Sequence, residues 1–271
     1  MAEYIQLIFE NISTTQSDIL IAQLSEAGYE GFEEEENSLK AFIPTDIFNE
    51  VLVKEIASSV DSTYSQSVIK ETNWNEVWES NFQPVVVDDF VGIRAEFHQP
   101  IAGVEYEIVI TPKMSFGTGH HATTWLMMSQ MRKIDFINKP VLDFGTGTGI
   151  LAILAEKLGA ASIAAIDYDE WSIMNCRENI LQNQAGRIEV IKADSAVLDR
   201  QFDVILANIN KNVILDNLAA LTKQMTPGSV LVLSGLLGED EPEIVAATEK
   251  AGLQLLDKVK RHNWLCLKLS Y

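Results

Sequence analysis

Val141 to Ile150, VLDFGTGTGI, places Asp143 ahead of three glycines at alternate positions, Gly145, Gly147 and Gly149. An apolar opening, an acid and glycines in front of the helical run Leu151 to Ala160 read as a buried strand, a tight turn and the first turn of a helix. Glycine lets a backbone turn sharply and lie close to a ligand. The first amides of the helix then point at whatever polar group enters the turn. A second apolar stretch, Ala161 to Ile166, ends at Asp167, 22 residues after Gly145. Doubly wound folds place a carboxylate at that distance against a ribose hydroxyl pair, which implies a nucleoside-containing ligand. The dinucleotide fingerprint wants a third glycine where this chain has Ile150. An acid at Asp143 suits a ligand carrying a positive amine and would repel a pyrophosphate.

Lys113 to Thr124, KMSFGTGHHATT, gathers glycines, threonines and two histidines before a helix expected over Trp125 to Met131. Thr123 or Thr124 can cap that helix and face a ligand at its N-terminus. His120 and His121 invite a general base or a metal pair. No third ligand has suitable spacing, however, and adjacent side chains rarely converge on one ion, so no metal is expected. Hydrogen bonding that structures the loop is the better reading. Asp194, in Lys192 to Ser195, closes a strand and either accepts from an adenine amino group or serves a turn. Asn208, in Ala207 to Asn210, closes the next. The carboxyl edge of such a sheet is where these folds keep their chemistry. An Asn there can orient an amine through its carbonyl oxygen and donate through its NH2.

The elements that must position these residues fall into two patterns. Residues 1–70 predict a ferredoxin-like βαββαβ domain. Its parts are a first strand from Tyr4, a helix after Asn11 stopped by Gly28, strands at Gly31 to Glu35 and Ser38 to Ile43 around a Glu36-Asn37 turn, a helix over Asp46 to Ser58, and a closing strand at Gln66 to Lys70. Ile47, Val51, Val53 and Ile56 are the expected apolar face of the second helix. Residues 71–85 form a connecting segment in which Trp74, Trp78 and Phe82 share one helical face until Pro84 ends it. Residues 86–271 predict the large domain. Val85 to Val87, Phe90 to Phe97 and Tyr106 to Ile110 are expected as antiparallel strands leading into it. Apolar strands near 140–144, 162–166, 187–191, 203–207 and 229–234 then alternate with helices at 149–158, 170–182, 212–224 and 241–251, and a hairpin closes the chain. The fold class is therefore α/β, a doubly wound Rossmann-like sheet preceded by a small α+β domain.

Composition narrows the partners. The 271 residues are 47% hydrophobic, enough for folded cores, without an apolar run of membrane-spanning length. The opening MAEYIQLIFE has no basic n-region, so a cytoplasmic protein is expected. Cys176 and Cys266 are too few for a disulfide framework. Net charge is -19, and residues 1–65 hold 13 acids against Lys40 and Lys54, a net of -11. Such a surface repels nucleic acid and attracts a basic protein, with Glu33 to Glu36 on its rim; the alternative is simple solvation of a small domain.

The evenly spaced glycines with their two acids are the arrangement of S-adenosylmethionine-dependent methyltransferases. TNWNEVWESNFQPV (72–85), FGTGHHATT (116–124), VLDFGTGTGILAI (141–153), the strand end at Asp167 and ANIN (207–210) extend the likeness over essentially the whole chain. In these residues the chain resembles the bacterial ribosomal protein L11 methyltransferases, which methylate amino groups of their substrate protein. The resemblance implies a seven-stranded sheet with a reversed last strand, S-adenosylmethionine as cofactor, and Thr124, Gly145, Asp167 and Asn208 at cofactor-contacting positions. It implies ribosomal protein L11 as partner, with no nucleic acid or membrane and with a monomeric enzyme. The family commonly has Thr where this chain has His120, a modest local change. For the chemistry, Asn208 is expected to hold the amine, with Phe116 and Thr118 shaping the entrance. Methyltransferases of glutamine or nucleic-acid bases usually follow the catalytic residue with Pro-Pro and an aromatic; here Ile209 and Asn210 follow, which favours a tetrahedral amine. An NAD-dependent oxidoreductase and a non-catalytic binding protein are the remoter alternatives.

Overall fold

Ile5, Leu7 and Phe9 alternate with half-exposed neighbours along β1 (Glu3–Glu10), giving that strand one face to bury. The computed structural model describes residues 3–35, 37–70, 82–113 and 117–271. The chain divides into two compact units, Met1–Asn81 and Phe82–Tyr271. In the first unit β1 pairs antiparallel with β3 (Ser38–Pro44) and β4 (Tyr64–Lys70), and β2 (Gly31–Glu35) pairs antiparallel with β3. The order β2-β3-β1-β4 is the ferredoxin-like one. Helix α1 (Thr14–Glu26) starts in a capping box: Ser13 and Gln16 each satisfy the other's backbone N–H. Gln16 Nε2 also donates to the Val60 carbonyl, which ties α1 to the end of α2 (Glu50–Ser59).

Helix α2 begins later than the periodicity predicts. Asn49 accepts from the N–H groups of Val51 and Leu52, and a cap of this kind fixes the first turn at its own position. The preceding Thr45–Ile47 is a single 3-10 turn. Val53, Ile56 and Ala57 are buried as a result, while Ile47 and Val51 face solvent. The glutamates of β2 have internal partners: Lys40 Nζ lies 2.6 Å from Glu35 and 3.6 Å from Glu33, and the Ser17 hydroxyl donates to Glu34. Trp74 and Trp78 lie outside the described residues, as does Glu36.

The second unit is built on β8 (Pro140–Phe144), β9 (Ser162–Asp167), β10 (Ile188–Lys192), β11 (Phe202–Asn208), β12 (Met225–Leu237), β13 (Gln254–Arg261) and β14 (Trp264–Ser270). Their order is β10-β9-β8-β11-β12-β14-β13. The first five run parallel, and β14 enters antiparallel between β12 and β13. This is the seven-stranded methyltransferase sheet with its reversed last strand. Alternate residues feed two cores. Val141, Ile163 and Val204 face α3 (Ala122–Met131), α4 (Ile150–Lys157) and α5 (Glu170–Gln182); Leu142, Ala164 and Ile205 face α6 (Lys211–Lys223) and α7 (Glu241–Lys250). Burial on both faces explains why these strands are apolar runs rather than alternating ones.

A three-stranded sheet, β5 (Val85–Val87), β6 (Val91–Ala95) and β7 (Tyr106–Ile110), adds to the first of these cores. β5 and β6 are antiparallel as expected, but β6 and β7 are parallel, which corrects the sequence reading. The connection has to recross the strand pair. Ile101 packs where a side chain on Gly92 would stand, and its N–H donates to Glu107, which also pairs with Arg94. Phe82 is buried in the same core.

Candidate active site

The glycine turn is held by the two strands beneath it. The N–H groups of Gly145 and Thr146 both donate to the Ile166 carbonyl, each at 2.9 Å, joining the end of β8 to β9. Gly145 has φ +77°, and the Ile209 side chain fills the space a Cβ would need. Gly147 donates its N–H to Asp167 Oδ2 at 2.9 Å, and the N–H of Asp169 reaches Oδ1 at 3.1 Å. Two backbone amides thus aim a nearly buried carboxylate whose oxygens keep further acceptor capacity.

Asp143 and Gly149 stand outside this opening. Asp143 is fully buried, and the Thr146 hydroxyl donates to it at 2.6 Å. Burial pushes its carboxyl up to about 7, the Thr146 hydroxyl and the Ala152 N–H pull the other way, and the charge of Asp167 adds to the rise. It supports the turn from behind. Gly149 begins α4 where a Cβ would come within 2.6 Å of Cys176 Sγ, so its glycine allows α4 and α5 to pack closely. Burial pushes the Cys176 thiol up to about 12, which leaves it unreactive at neutral pH.

His121, not a threonine, caps α3: its Nδ1 accepts from the Thr123 N–H at 3.3 Å and lies 2.7 Å from the Thr123 hydroxyl. With Nδ1 used as an acceptor, the ring hydrogen of neutral His121 belongs on Nε2. Its ring meets Trp264 edge-on at 4.5 Å. The His120 ring reaches the Gln83 carbonyl at 2.9 Å and Thr118 Oγ1 at 3.2 Å, and packs edge-on against Phe82. Both histidines therefore structure the loop, and Thr118 belongs to that network. Thr124 is fully buried, 3.5 Å from Asn208 Nδ2. Phe116 lies outside the described residues.

Gly145, Gly147, Asp167, Asp194 and Asn208 line one cavity of about 650 Å³ at the carboxyl edge of the sheet. That volume suits a nucleoside-sized ligand. Of the candidate residues, Asp143, Gly149, Thr118 and Thr124 do not line it. Asn208 is 8% exposed, and its Oδ1 has no hydrogen-bond partner among the described residues. A buried amide oxygen without a donor is costly, so it is suited to a donor brought by a ligand. Among the wall residues that the sequence reading did not single out are Tyr168, Gly235 and Trp264. Gly235 has φ +80°, and a Cβ there would come within 2.3 Å of the Ile209 carbonyl oxygen. Trp264 opens the reversed strand, and a reversed strand starts at the edge where its parallel neighbours end. Lys211 pairs with Asp240 and Glu243, both at 2.9 Å, and so braces the start of α6 beyond Asn208 against the loop after β12.

A sequence profile described as Ribosomal protein L11 methyltransferase (PrmA) matches residues 7–271. The chain belongs to the ribosomal protein L11 methyltransferase family. The enzyme of that name from Porphyromonas gingivalis is 42% identical over 264 residues, covering 94% of this chain and 91% of its own length. The Chlorobaculum tepidum enzyme is 36% identical over 276 residues, covering 97% and 94%. Among solved structures, the ribosomal protein L11 methylase of Lactobacillus delbrueckii subsp. bulgaricus aligns with a TM-score of 0.65 at 30% identity, over 70% of this chain and 98% of its own. A methyltransferase from Pyrococcus furiosus, at 17% identity and a TM-score of 0.52 over 60% of this chain and 88% of its own, shares the fold. Family membership carries methylation of ribosomal protein L11 by a protein N-methyltransferase, with S-adenosylmethionine as its cofactor.

Proposed function

We propose that the cavity between Gly145 and Asn208 binds S-adenosylmethionine and that the chain methylates amines of ribosomal protein L11, lysine side chains or the chain terminus, in the cytoplasm. The observation that carries the reading is the donor and acceptor set on one cavity wall. Asp167 offers preoriented carboxylate oxygens for a ribose diol, Gly147 offers close backbone approach, Asp194 offers an acceptor at the mouth, and Asn208 offers an unsatisfied amide oxygen. When bound, the cofactor supplies an activated methyl group on a sulfonium. The chain's task is alignment and exclusion of water. Asn208 Oδ1 accepts from the acceptor amine and orients it, while Trp264 and His121 wall that side of the cavity. Thr118 shapes the entrance through the His120 network. An ammonium has no lone pair, so one proton leaves first; desolvation lowers the amine pKa enough for solvent to take it. His121 Nδ1 is occupied by the helix cap and is not the base.

Calorimetric titration with S-adenosylmethionine and with NAD tests the cofactor. Binding of the first and not the second is expected, and tight NAD binding alone would refute the reading. For the acidic residues 1–70 we assign substrate recognition, because their net charge would draw in a basic protein. Glu33 to Glu35 already have internal partners, so the attraction is that of the unit as a whole.

A further inference from the structure

Thr148 sits inside the glycine turn, fully buried, yet it does not line the cavity. Its hydroxyl donates to the Gly117 carbonyl at 2.7 Å. Gly117 has φ +105°, and a Cβ there would come within 2.8 Å of that same hydroxyl, so the contact itself requires glycine. Thr148's own carbonyl accepts from Asn179 Nδ2 at 2.8 Å. Asn179, fully buried on α5, accepts the Thr111 N–H on its Oδ1 at 2.8 Å, while Asn175 Nδ2 donates to the Thr111 carbonyl at 3.0 Å. The strand residue just beyond β7, the glycine turn and the start of the histidine loop are therefore hydrogen-bonded in series. One end of the series is next to Gly147, whose N–H aims Asp167. The other begins the stretch that continues to His121, which caps α3, and to Thr124, which faces Asn208.

Methyl transfer is sensitive to alignment between the wall that holds the donor and the wall that holds the acceptor. Thr148, itself part of the glycine turn, bonds the start of the histidine loop through its hydroxyl, and its buried carbonyl is held by Asn179 of α5. We infer that Thr148, backed by Asn179, is a positioning residue that fixes the histidine loop against the cofactor turn, so that its hydroxyl governs the rate of transfer more than cofactor affinity. The inference rests on the cavity being the S-adenosylmethionine site.

Thr148→Val removes the hydroxyl at nearly constant volume, and Thr148→Ser keeps it. Cofactor Kd by calorimetry, kcat and KM for L11, and melting temperature are measured on both and on the parent enzyme. Loss of one buried hydrogen bond predicts a kcat lower by about tenfold in the valine variant. The cofactor Kd should stay within about twofold, and serine should restore most of the rate. A valine variant with unchanged kcat would overturn the inference, as would a serine variant as slow as valine. Kd weakening in step with kcat would show a merely structural role. If valine unfolds the protein, Thr148→Ala is judged against the same serine control. A parent enzyme that binds no S-adenosylmethionine would instead refute the cofactor reading itself, which separates the two failures.

Discussion

The turn after β8 and the loop after β11 end adjacent parallel strands, yet they present different polar groups to the cavity. At the first, most groups have partners within the turn: Asp167 takes two backbone amides, Gly145 and Thr146 share the Ile166 carbonyl, and Asp143 takes the Thr146 hydroxyl on Oδ2, although its Oδ1, walled off from the cavity, has no partner among the described residues. At the second, Asn208 keeps, facing the cavity, an amide oxygen that no described residue satisfies, beside a 3.5 Å contact to Thr124. A preorganised turn binds a ligand with little rearrangement, and an unsatisfied acceptor rewards the arrival of a donor. In the proposed reading, cofactor binding falls to one strand end and orientation of the amine to the other.

Changes on the two sides should therefore separate kinetically. Asp167→Ala removes the acceptors aimed by Gly147 and Asp169, and cofactor affinity should fall by on the order of 10²- to 10³-fold, as charged hydrogen-bond partners contribute roughly 1.5–3 kcal/mol each. Calorimetry reads this directly. A variant binding within twofold of the parent would erase the distinction from its stronger side. Asn208→Ala should lower kcat with L11 by about 10²-fold while changing cofactor affinity less. Equal losses in both quantities would move Asn208 wholly to the cofactor side.

Removing residues 1–65 should leave cofactor affinity nearly unchanged and lower kcat/KM for L11 by roughly 10- to 100-fold at low salt, with the gap narrowing as salt rises. Equal activity with and without them would reduce the net charge of -11 to surface solvation. The smallest effect expected concerns the support behind the glycine turn. Asp143 has a folded pKa raised from 3.8 to about 7 by burial. Native protein then holds a proton that the unfolded chain releases, so this group's contribution is complete below pH 3.8 and is lost as pH rises through 7. Stability of the ligand-free protein should fall by about 1 kcal/mol per pH unit inside that window, and Asp143→Asn should flatten the slope. Denaturant titrations at pH 5 and 6 on both proteins check it; parallel slopes would contradict the assignment.

The glycine turn was legible in the sequence because its requirements are local: a strand end, glycines with positive φ, and an acid at the next strand end. The other side depends on chain segments far apart. Gly235 is required by the Ile209 carbonyl pressing on it from the neighbouring strand end, a contact with no sequence signal. Trp264 could have been placed from the expected reversal of the last strand, since that reversal brings its first residue to the cavity edge. The parallel pairing of β6 and β7 was hidden for a similar reason: Ile101 on Gly92 and Arg94 on Glu107 are tertiary contacts that redirect an otherwise ordinary turn. Gly149 is a motif glycine whose space also serves helix packing, against Cys176, which the motif alone did not show.

Incubating ribosomal protein L11 with the enzyme and S-adenosylmethionine, followed by mass spectrometry of the digested substrate, identifies the acceptor group itself. Methyl groups are expected on lysine side chains or the N-terminal amine of L11, and none when Asp167→Ala replaces the parent. Unmodified L11, or methyl groups on glutamine or on added RNA in its place, would contradict that expectation.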